Sequence, residues 1–519
     1  MGVRPHSPPL YARPQKQYRF SFELKIQISL PCINPALPMK RYERHADAIA
    51  QLIHSGALRP GDRVPSVREA SRTRGISPST VFEAYYLLEA QGLIHARPRS
   101  GYYVSARAPT AEARPAEPLP SQPAATSTGV AISDLVFEVL GLARDRDLVP
   151  LGSAFPGLEL FPLDRLARCL ASGMRKLDPW NIVQSLPPGD ERLRQQIALR
   201  YGVHGMAVDV QEIIITNGAM EALNLCLEAV TQPGDVVVVE SPTFYAALQA
   251  LERLNLQALE IATHPRDGID LAALAQALER QTPHQPIKAC WLMPSFQNPL
   301  GSLMPEDKKR ELVALLARHG VPLIEDDVYG ELHFGPQRPL PAKAFDGAGL
   351  VMHCSSFSKS LAPGYRVGWV AAGRFAKAVQ RLKLMTTLSA ATPSQQALSE
   401  YLAQGGYDRH LRALRRSLEQ QQAIALAAVA RHFPPGTRVS RPEGGYFLWV
   451  EMPPQVNALE LHRLALQQSI SLAPGQIFSA DQRFAHCVRI NYGHPAQGRL
   501  EAALATVGQL ATDLATAVP

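Results

Sequence analysis

Apolar residues recur at a helical interval near the start of the chain and in short unbroken runs further on, and this change of period divides it in two. Ala46, Ile49, Ala50 and Ile53 fall on one face of a helix predicted over residues 42–55, with Gly56 as its stop. Pro60-Gly61 makes a turn. Ser66, with Glu69 three residues later, has the form of a capping box, and the helix it opens reaches Gly75. Ser77 caps a third helix with Pro78 in its first turn; Val81, Ala84, Tyr85 and Leu88 form its apolar face and Gly92 ends it. Two strand-like segments, 93–96 and 102–104, flank the basic tip Arg97-Pro98-Arg99-Ser100-Gly101.

Helix, helix, helix, wing is the order of a winged helix-turn-helix, predicted over residues 39–105. Its third helix is the one expected to read DNA. Residues 106–130 are rich in Pro, Ala, Ser and Thr with almost no large apolar side chain, and read as an extended, flexible tether. Beyond Ile132 the short runs 236–240, 289–293, 321–325 and 351–355 read as buried strands with helices between them. The fold class is therefore α/β, with residues 131–515 as the rear unit. Its pocket residues are expected at strand ends, where open α/β sheets place ligands.

At 519 residues and 46% hydrophobic, the chain is long enough for two or three globular units. The net charge of +7 favours a polyanionic partner without specifying one. Residues 39–107 hold eleven Lys/Arg against six Asp/Glu, and that excess of about +5 is the footprint expected for phosphate contact. The six cysteines lie far apart with no Cys-x-x-Cys pair, so no metal site is predicted; reduced thiols in a cytoplasmic, soluble protein are expected. No apolar run is long enough to span a membrane. Residues 1–38 are Pro- and Arg-rich without helical period, and are read as an N-terminal extension ahead of a native start at Met39.

The densest chemistry lies in Ser355-Ser356-Phe357-Ser358-Lys359-Ser360, where one amine is crowded by hydroxyls and followed a short loop later by Arg366. An aldehyde cofactor needs an amine that can lose its proton, and a phosphate dianion needs hydroxyls and a guanidinium fork. The pattern suits pyridoxal 5′-phosphate. Gly218 and its neighbours follow an apolar run and open a helix, so free N–H groups and the helix dipole suit a phosphate there. Phe244 offers a ring to stack on a pyridine, or simply fills the core. Asn298 and Tyr329 can both donate to a phenolate oxygen. Asp326 ends an apolar run, where a carboxylate needs a cation such as a protonated pyridine nitrogen; the competing reading is a helix N-cap, for which Asp327 is the more natural candidate. Cys354 reads as strand filling.

The segment LRPGDRVPSVREASRTRGISPSTVFEAYYLLEAQGLIHARPRSGYYV resembles the GntR family of bacterial regulators. That resemblance implies that Arg68, in the helix capped by Ser66, the first turn of the third helix after Ser77, and the wing Gly101 meet DNA. The family usually has an arginine after the capping serine. Pro78 stands there instead, which shifts readout towards Ser79, Thr80 and the wing arginines Arg97 and Arg99.

From Ile132 onward the chain resembles fold-type I aminotransferases, with a large domain and a small C-terminal α+β domain. By this resemblance Lys359 carries the cofactor, Asp326 faces its ring nitrogen, Asn298 and Tyr329 meet its ring oxygen, and Phe244 stacks on it. Gly218, Ala219 and Met220, with Ser356, Ser358 and Arg366, form the phosphate cup, and Arg489 grips a carboxylate. Relatives often carry a tyrosine at the position of Gln184 that reaches the partner subunit's phosphate, so a clamp across a dimer is not expected in that form.

Both halves together resemble the MocR subfamily: regulators binding double-stranded DNA, dimerising head to tail and sensing an amino compound or the vitamer. The alternatives are a working aminotransferase with an accessory reader, and a DNA-binding protein with an empty pocket. The start at Met39 has a direct check: N-terminal mass spectrometry of the native protein is expected to find no peptide ahead of it.

Overall fold

The computed structural model describes residues 40–54, 57–59, 61–90, 92–97, 100–105, 115–141, 148–282, 285–494 and 499–516. The predicted extension, Gly56, Pro60, Pro98 and Arg99 lie outside these residues. At the front, helices α1 (Arg41–His54), α2 (Val67–Arg74) and α3 (Pro78–Ala90) precede the hairpin β1 (Ile94–Arg97) and β2 (Gly101–Val104). The Ser66 hydroxyl accepts from Glu69 N–H at 3.2 Å, and Gly75 ends α2 in the left-handed region at φ +62°. The same cap recurs at α3, where Ser77 Oγ accepts from Thr80 N–H at 3.2 Å. The predicted apolar faces meet in one core of Ala46, Ile49, Ile53, Val81, Ala84, Tyr85 and Leu88, closed by Leu93, Ile94 and Val104 of the wing. Tyr85 is buried with its hydroxyl donating to Pro65 O at 2.6 Å.

The rear unit is built on a mixed sheet of β3 (Thr128–Gly129), β4 (Ile213–Thr216), β5 (Val236–Ser241), β6 (Gln257–His264), β7 (Gly268–Ile269), β8 (Ile287–Leu292), β9 (Leu323–Asp326), β10 (Val351–Ser356) and β11 (Gly368–Ala371). Its order is β3-β6-β5-β8-β9-β10-β11-β4, with β7 paired to β6. Strands β6, β5, β8, β9 and β10 run parallel, while β11 lies antiparallel between β10 and β4. The four strands predicted from apolar runs are β5, β8, β9 and β10; apart from the exposed Lys288 near the start of β8 they are buried on both faces, hence the unbroken runs. A second sheet, β12 (Arg438–Val439), β13 (Phe447–Glu451), β14 (Ala473–Pro474) and β15 (Cys487–Asn491), has the order β12-β13-β15-β14 and packs with helices Tyr407–His432, Ala458–Gln467 and Arg499–Thr516 as the small domain.

The tether expected over 106–130 differs from the structure where it is described. Residues 115–129 are laid along the rear unit. Ala116 O accepts from Val439 N–H, Glu117 pairs with Arg266, Ser121 Oγ donates to Ser241 O at 2.6 Å, and Thr128–Gly129 pair with β6. A Pro-rich segment low in apolar area cannot make its own core, but its extended backbone can join an existing sheet and its loops. No helix among the described residues is long and apolar enough to cross a membrane.

Removing only the Tyr85 hydroxyl leaves the Pro65 carbonyl without its donor. Tyr85→Phe is expected to lower the stability of the front unit by about 1 kcal/mol, read as a shifted midpoint in a denaturant titration.

Candidate cofactor pocket and DNA-reading face

One edge of the large sheet gathers the predicted pocket residues. The parallel strands β8, β9 and β10 end there, and Asn298, Asp326, Tyr329 and Lys359 lie at or just beyond those ends. Because β11 is antiparallel and pairs Gly368 with both Ser356 and Thr216, the turns bearing Arg366 and Gly218 open on the same edge.

Three consecutive acids, Glu325, Asp326 and Asp327, are all buried. Pleating sends their side chains to alternate faces. On one face Glu325 accepts from His353 at 2.8 Å and from the backbone of Ala342 and Lys343, while Asp327 pairs with the buried Arg338. The competing reading, in which Asp327 was the more natural candidate for a helix cap, is not what the structure shows: Asp327 is held by Arg338, and the short turn that follows begins at Tyr329. On the other face Asp326 is 1% exposed and its Oδ1 has no hydrogen-bond partner. Burial pushes its carboxyl up to about 7, opposed by the Val328 N–H and the nearby Lys359.

Lys359 follows β10, and its Nζ donates to Ala154 O at 2.7 Å and lies 3.9 Å from the centre of the Phe155 ring. Burial and then the Arg489 charge pull the amine down to about 7, against the pull of Asp326. Near neutral pH a large share of the amine is thus unprotonated and nucleophilic. Arg489, fully buried on β15, donates to Asn298 Oδ1 at 3.1 Å and to the carbonyls of Gly152 at 2.6 Å and Ser153 at 3.2 Å; its Nε and the Asn298 Nδ2 have no partner. Tyr329 is buried edge-on to Tyr446 and Phe447. Phe244 precedes the helix Tyr245–Arg253 and packs against the Tyr245 ring at 4.9 Å.

At the phosphate end, Gly218 has φ +86° and opens the helix Ala219–Val230, whose first N–H groups, Ala219 and Met220 among them, lack partners within the helix. A Cβ on Gly218 would stand 2.5 Å from Arg366 Nη2, so only glycine lets the guanidinium approach. Arg366 donates to Ser358 Oγ at 3.4 Å and Asn217 O at 3.2 Å, and Ser356 Oγ accepts from Ser358 N–H at 3.4 Å. Gln184 ends the exposed helix Pro179–Gln184. Cys354 is buried beside Cys226 with its thiol raised by burial, matching its reading as strand filling.

Sequence reasoning missed the segment 152–155 that covers Lys359 and Arg489, and the groups that hold it. Tyr446 OH donates to Ala154 O, and Asn491 Nδ2 donates to Ser153 O at 2.9 Å and Phe155 O at 2.7 Å. Asn491 had a signal: two residues beyond Arg489 on one strand, it shares that arginine's face.

On the front unit, Ser66, Arg68, Ser77 and Ser79 are exposed. Ser77 Oγ lies 2.8 Å from both Ser79 Oγ and Thr80 Oγ1, a hydroxyl cluster at the start of α3. Gly101 has φ +109° beside the Arg63 guanidinium, a cation the sequence reading did not include. Arg97 lies over the Tyr103 ring at 4.3 Å rather than standing clear of the wing.

Two family models match: "Bacterial regulatory proteins, gntR family" over residues 41–104, and "Aminotransferase class I and II" over residues 174–506. The chain is 48% identical to the HTH-type transcriptional regulator YdcR of Escherichia coli over 91% of its own length and 99% of that protein's. It belongs to the MocR-type regulators. Among solved structures, the multiple substrate aminotransferase of Thermococcus profundus superposes at TM-score 0.68, 25% identical, over 74% of this chain and 96% of that one. LysN, the alpha-aminoadipate aminotransferase of Thermus thermophilus solved with N-(5′-phosphopyridoxyl)-L-leucine, superposes at 0.67, 27% identical, over 75% and 100%.

Pyridoxal 5′-phosphate is the cofactor of this MocR-type chain, and the residues present fit it. The buried orphans Asp326 Oδ1, Asn298 Nδ2 and Arg489 Nε supply one acceptor and two donors beside a partly neutral amine, and the Gly218–Arg366 cradle supplies the anion site. With the amine titrating near 7, its neutral fraction rises from about 0.1 to about 0.9 between about pH 6 and pH 8. Stopped-flow absorbance is expected to show excess pyridoxal phosphate captured about tenfold faster at the higher pH; a flat profile contradicts this.

Proposed function

We propose that this chain is a DNA-binding transcriptional regulator whose rear unit holds pyridoxal phosphate and, through it, senses an amino compound or the vitamer itself. The observation that carries this reading is a reader with exposed serines and Arg68 at the starts of its second and third helices, joined in one polypeptide to a pocket with unpartnered buried polar atoms. Relatives described as transcriptional regulators match along both units.

When bound, the cofactor supplies an electrophilic carbon and an electron-accepting ring. The chain's residues do the rest. Lys359 would offer its neutral amine to that carbon and would carry protons. Asp326 holds a proton at the ring nitrogen, and its burial lets it do so without competition from water. Asn298 and Tyr329 would donate to the ring oxygen, Phe244 would pack on the ring face, and Gly218, Ala219, Met220, Ser356, Ser358 and Arg366 would hold the phosphate. Arg489 grips an effector carboxylate after giving up the carbonyls of Gly152 and Ser153.

Ser66, Arg68, Ser77, Ser79, Thr80, Arg97 and Gly101 make the DNA contact. A head-to-tail homodimer covers the exposed Trp180, Ile182 and Val183 together with Met385 and Leu388, which lie on elements joined by the Gln380 bond to Pro187 O. The protein works in the cytoplasm, where its thiols stay reduced.

The second reading, a working aminotransferase, is favoured by the Lys359 amine titrating near 7, where a proton carrier is most effective. Turnover of amino acids with 2-oxoglutarate at about 1–1000 per second would favour it. Under the regulatory reading, Lys359→Ala is expected to abolish borohydride-fixable cofactor while the variant still binds DNA with the affinity of the cofactor-free wild type. Arg68→Ala is expected to weaken a duplex selected from a random pool by about 1–3 kcal/mol while the cofactor absorbance persists. Loss of both properties in either variant contradicts the division of labour.

A further inference from the structure

The turn that leaves the cofactor pocket also anchors the helix on which the DNA-reading unit sits. Tyr329 faces the pocket. Two residues later the Glu331 carboxylate accepts from Arg200 Nε and Nη2, both at 2.7 Å, and from Arg415 Nη2 at 3.2 Å, while Arg415 Nε donates to the Glu331 carbonyl at 2.7 Å. Arg338 lies 3.5 Å from the same carboxylate and pairs with Asp327, the residue after Asp326. Glu331 is therefore an ionic node between the strand end that carries Asp326 and the helix Tyr407–His432.

That helix meets the front unit. Arg416, next to Arg415, pairs with Glu83 of α3 at 3.1 Å, and one turn on Glu419 pairs at 3.5 Å with Lys40, which immediately precedes α1. Between these pairs Tyr42 and Tyr86 face Phe334 and Arg412 around a cavity of about 520 Å³. A contact made of exposed ion pairs around open space is weak and screened by salt, so small changes release it. The Glu331 node is the opposite: largely enclosed, with several arginines on one carboxylate, it cannot shift without moving Arg415.

We propose that the helix Tyr407–His432 is a docking surface for the DNA-reading unit, and that Glu331 relays the state of the cofactor pocket to it through Arg415 and Arg416. This rests on the regulatory reading above and names its coupling element. The path from Tyr329 to Glu83 runs along the backbone through Gly330 to Glu331, then by ion pair to Arg415, by covalent bond to Arg416 and by ion pair to Glu83. Spatial continuity alone does not demonstrate coupling, which is why the test is a charge-swap cycle.

The full chain is used with and without pyridoxal phosphate, and the ratio of its affinities for a duplex selected from a random pool is measured for wild type, Arg416→Glu, Glu83→Arg, the double swap and Glu331→Gln. Glu83→Arg changes the charge of α3 in both states, and the ratio removes that effect. A wild-type ratio of about 5 to 150 is expected, the usual span of allosteric coupling. Arg416→Glu and Glu331→Gln are expected to bring it close to one with cofactor absorbance unchanged, and the double swap to restore it. A wild-type ratio of one overturns sensing of the vitamer and the relay with it, while sensing of an amino compound by the loaded protein is read separately. A several-fold ratio that survives Arg416→Glu, or that the double swap fails to restore, overturns the relay alone.

Discussion

A carboxylate buried at the end of β9 with one oxygen unpartnered sets the terms for the rest of the rear unit. An ion taken out of water costs several kcal/mol unless a cation and hydrogen bonds compensate it. Glu325 is held by a hydrogen bond with His353 and by two backbone N–H groups, and Asp327 by the Arg338 guanidinium, because pleating turns them away from the pocket. Asp326 has only a backbone N–H and the pull of the Lys359 charge against its burial, and its acidity falls accordingly. The fold thus keeps one acid unpaired beside one amine that is partly neutral, and the two perturbations have a common cause in the dry edge of the sheet.

The opposite end of the pocket works by close approach. Gly218 takes a left-handed conformation and leaves room for Arg366, while Gly368 lies so near that a Cβ there would stand 2.5 Å from the Gly218 carbonyl carbon. Two glycines and an antiparallel strand therefore bring together an N-terminal helix turn and a guanidinium that are separated in sequence by about 150 residues. The segment 152–155 closes the pocket by offering carbonyls to Arg489, Asn491, Lys359 and Tyr446.

The front unit was legible in detail because its signals are local. Caps at Ser66 and Ser77, the left-handed Gly75, and the four apolar positions of α3 lie within a turn or two of what they control. The four buried strands were legible for a related reason, since a strand covered on both faces shows an unbroken apolar run. The pairing of Asp327 was not legible because its partner, Arg338, lies beyond the turn, and nothing between them marks it. The segment 115–129 was read as free because its composition forbids a core of its own. Composition says nothing of an edge strand and loops supplied by residues more than a hundred positions later.

The sequence by itself determined the two-unit order, the winged reader, the α/β rear unit and the residue types a phosphorylated aldehyde cofactor requires, because those depend on period, capping and side-chain chemistry over short spans. Only the tertiary structure decided which of three adjacent acids faces the pocket. It alone seated the Pro-rich segment on the sheet and joined Glu331 to the helix that holds α3. Those outcomes depend on strand register and on ion pairs closed across hundreds of residues, where the energy of a contact is set by burial and geometry that no local pattern carries.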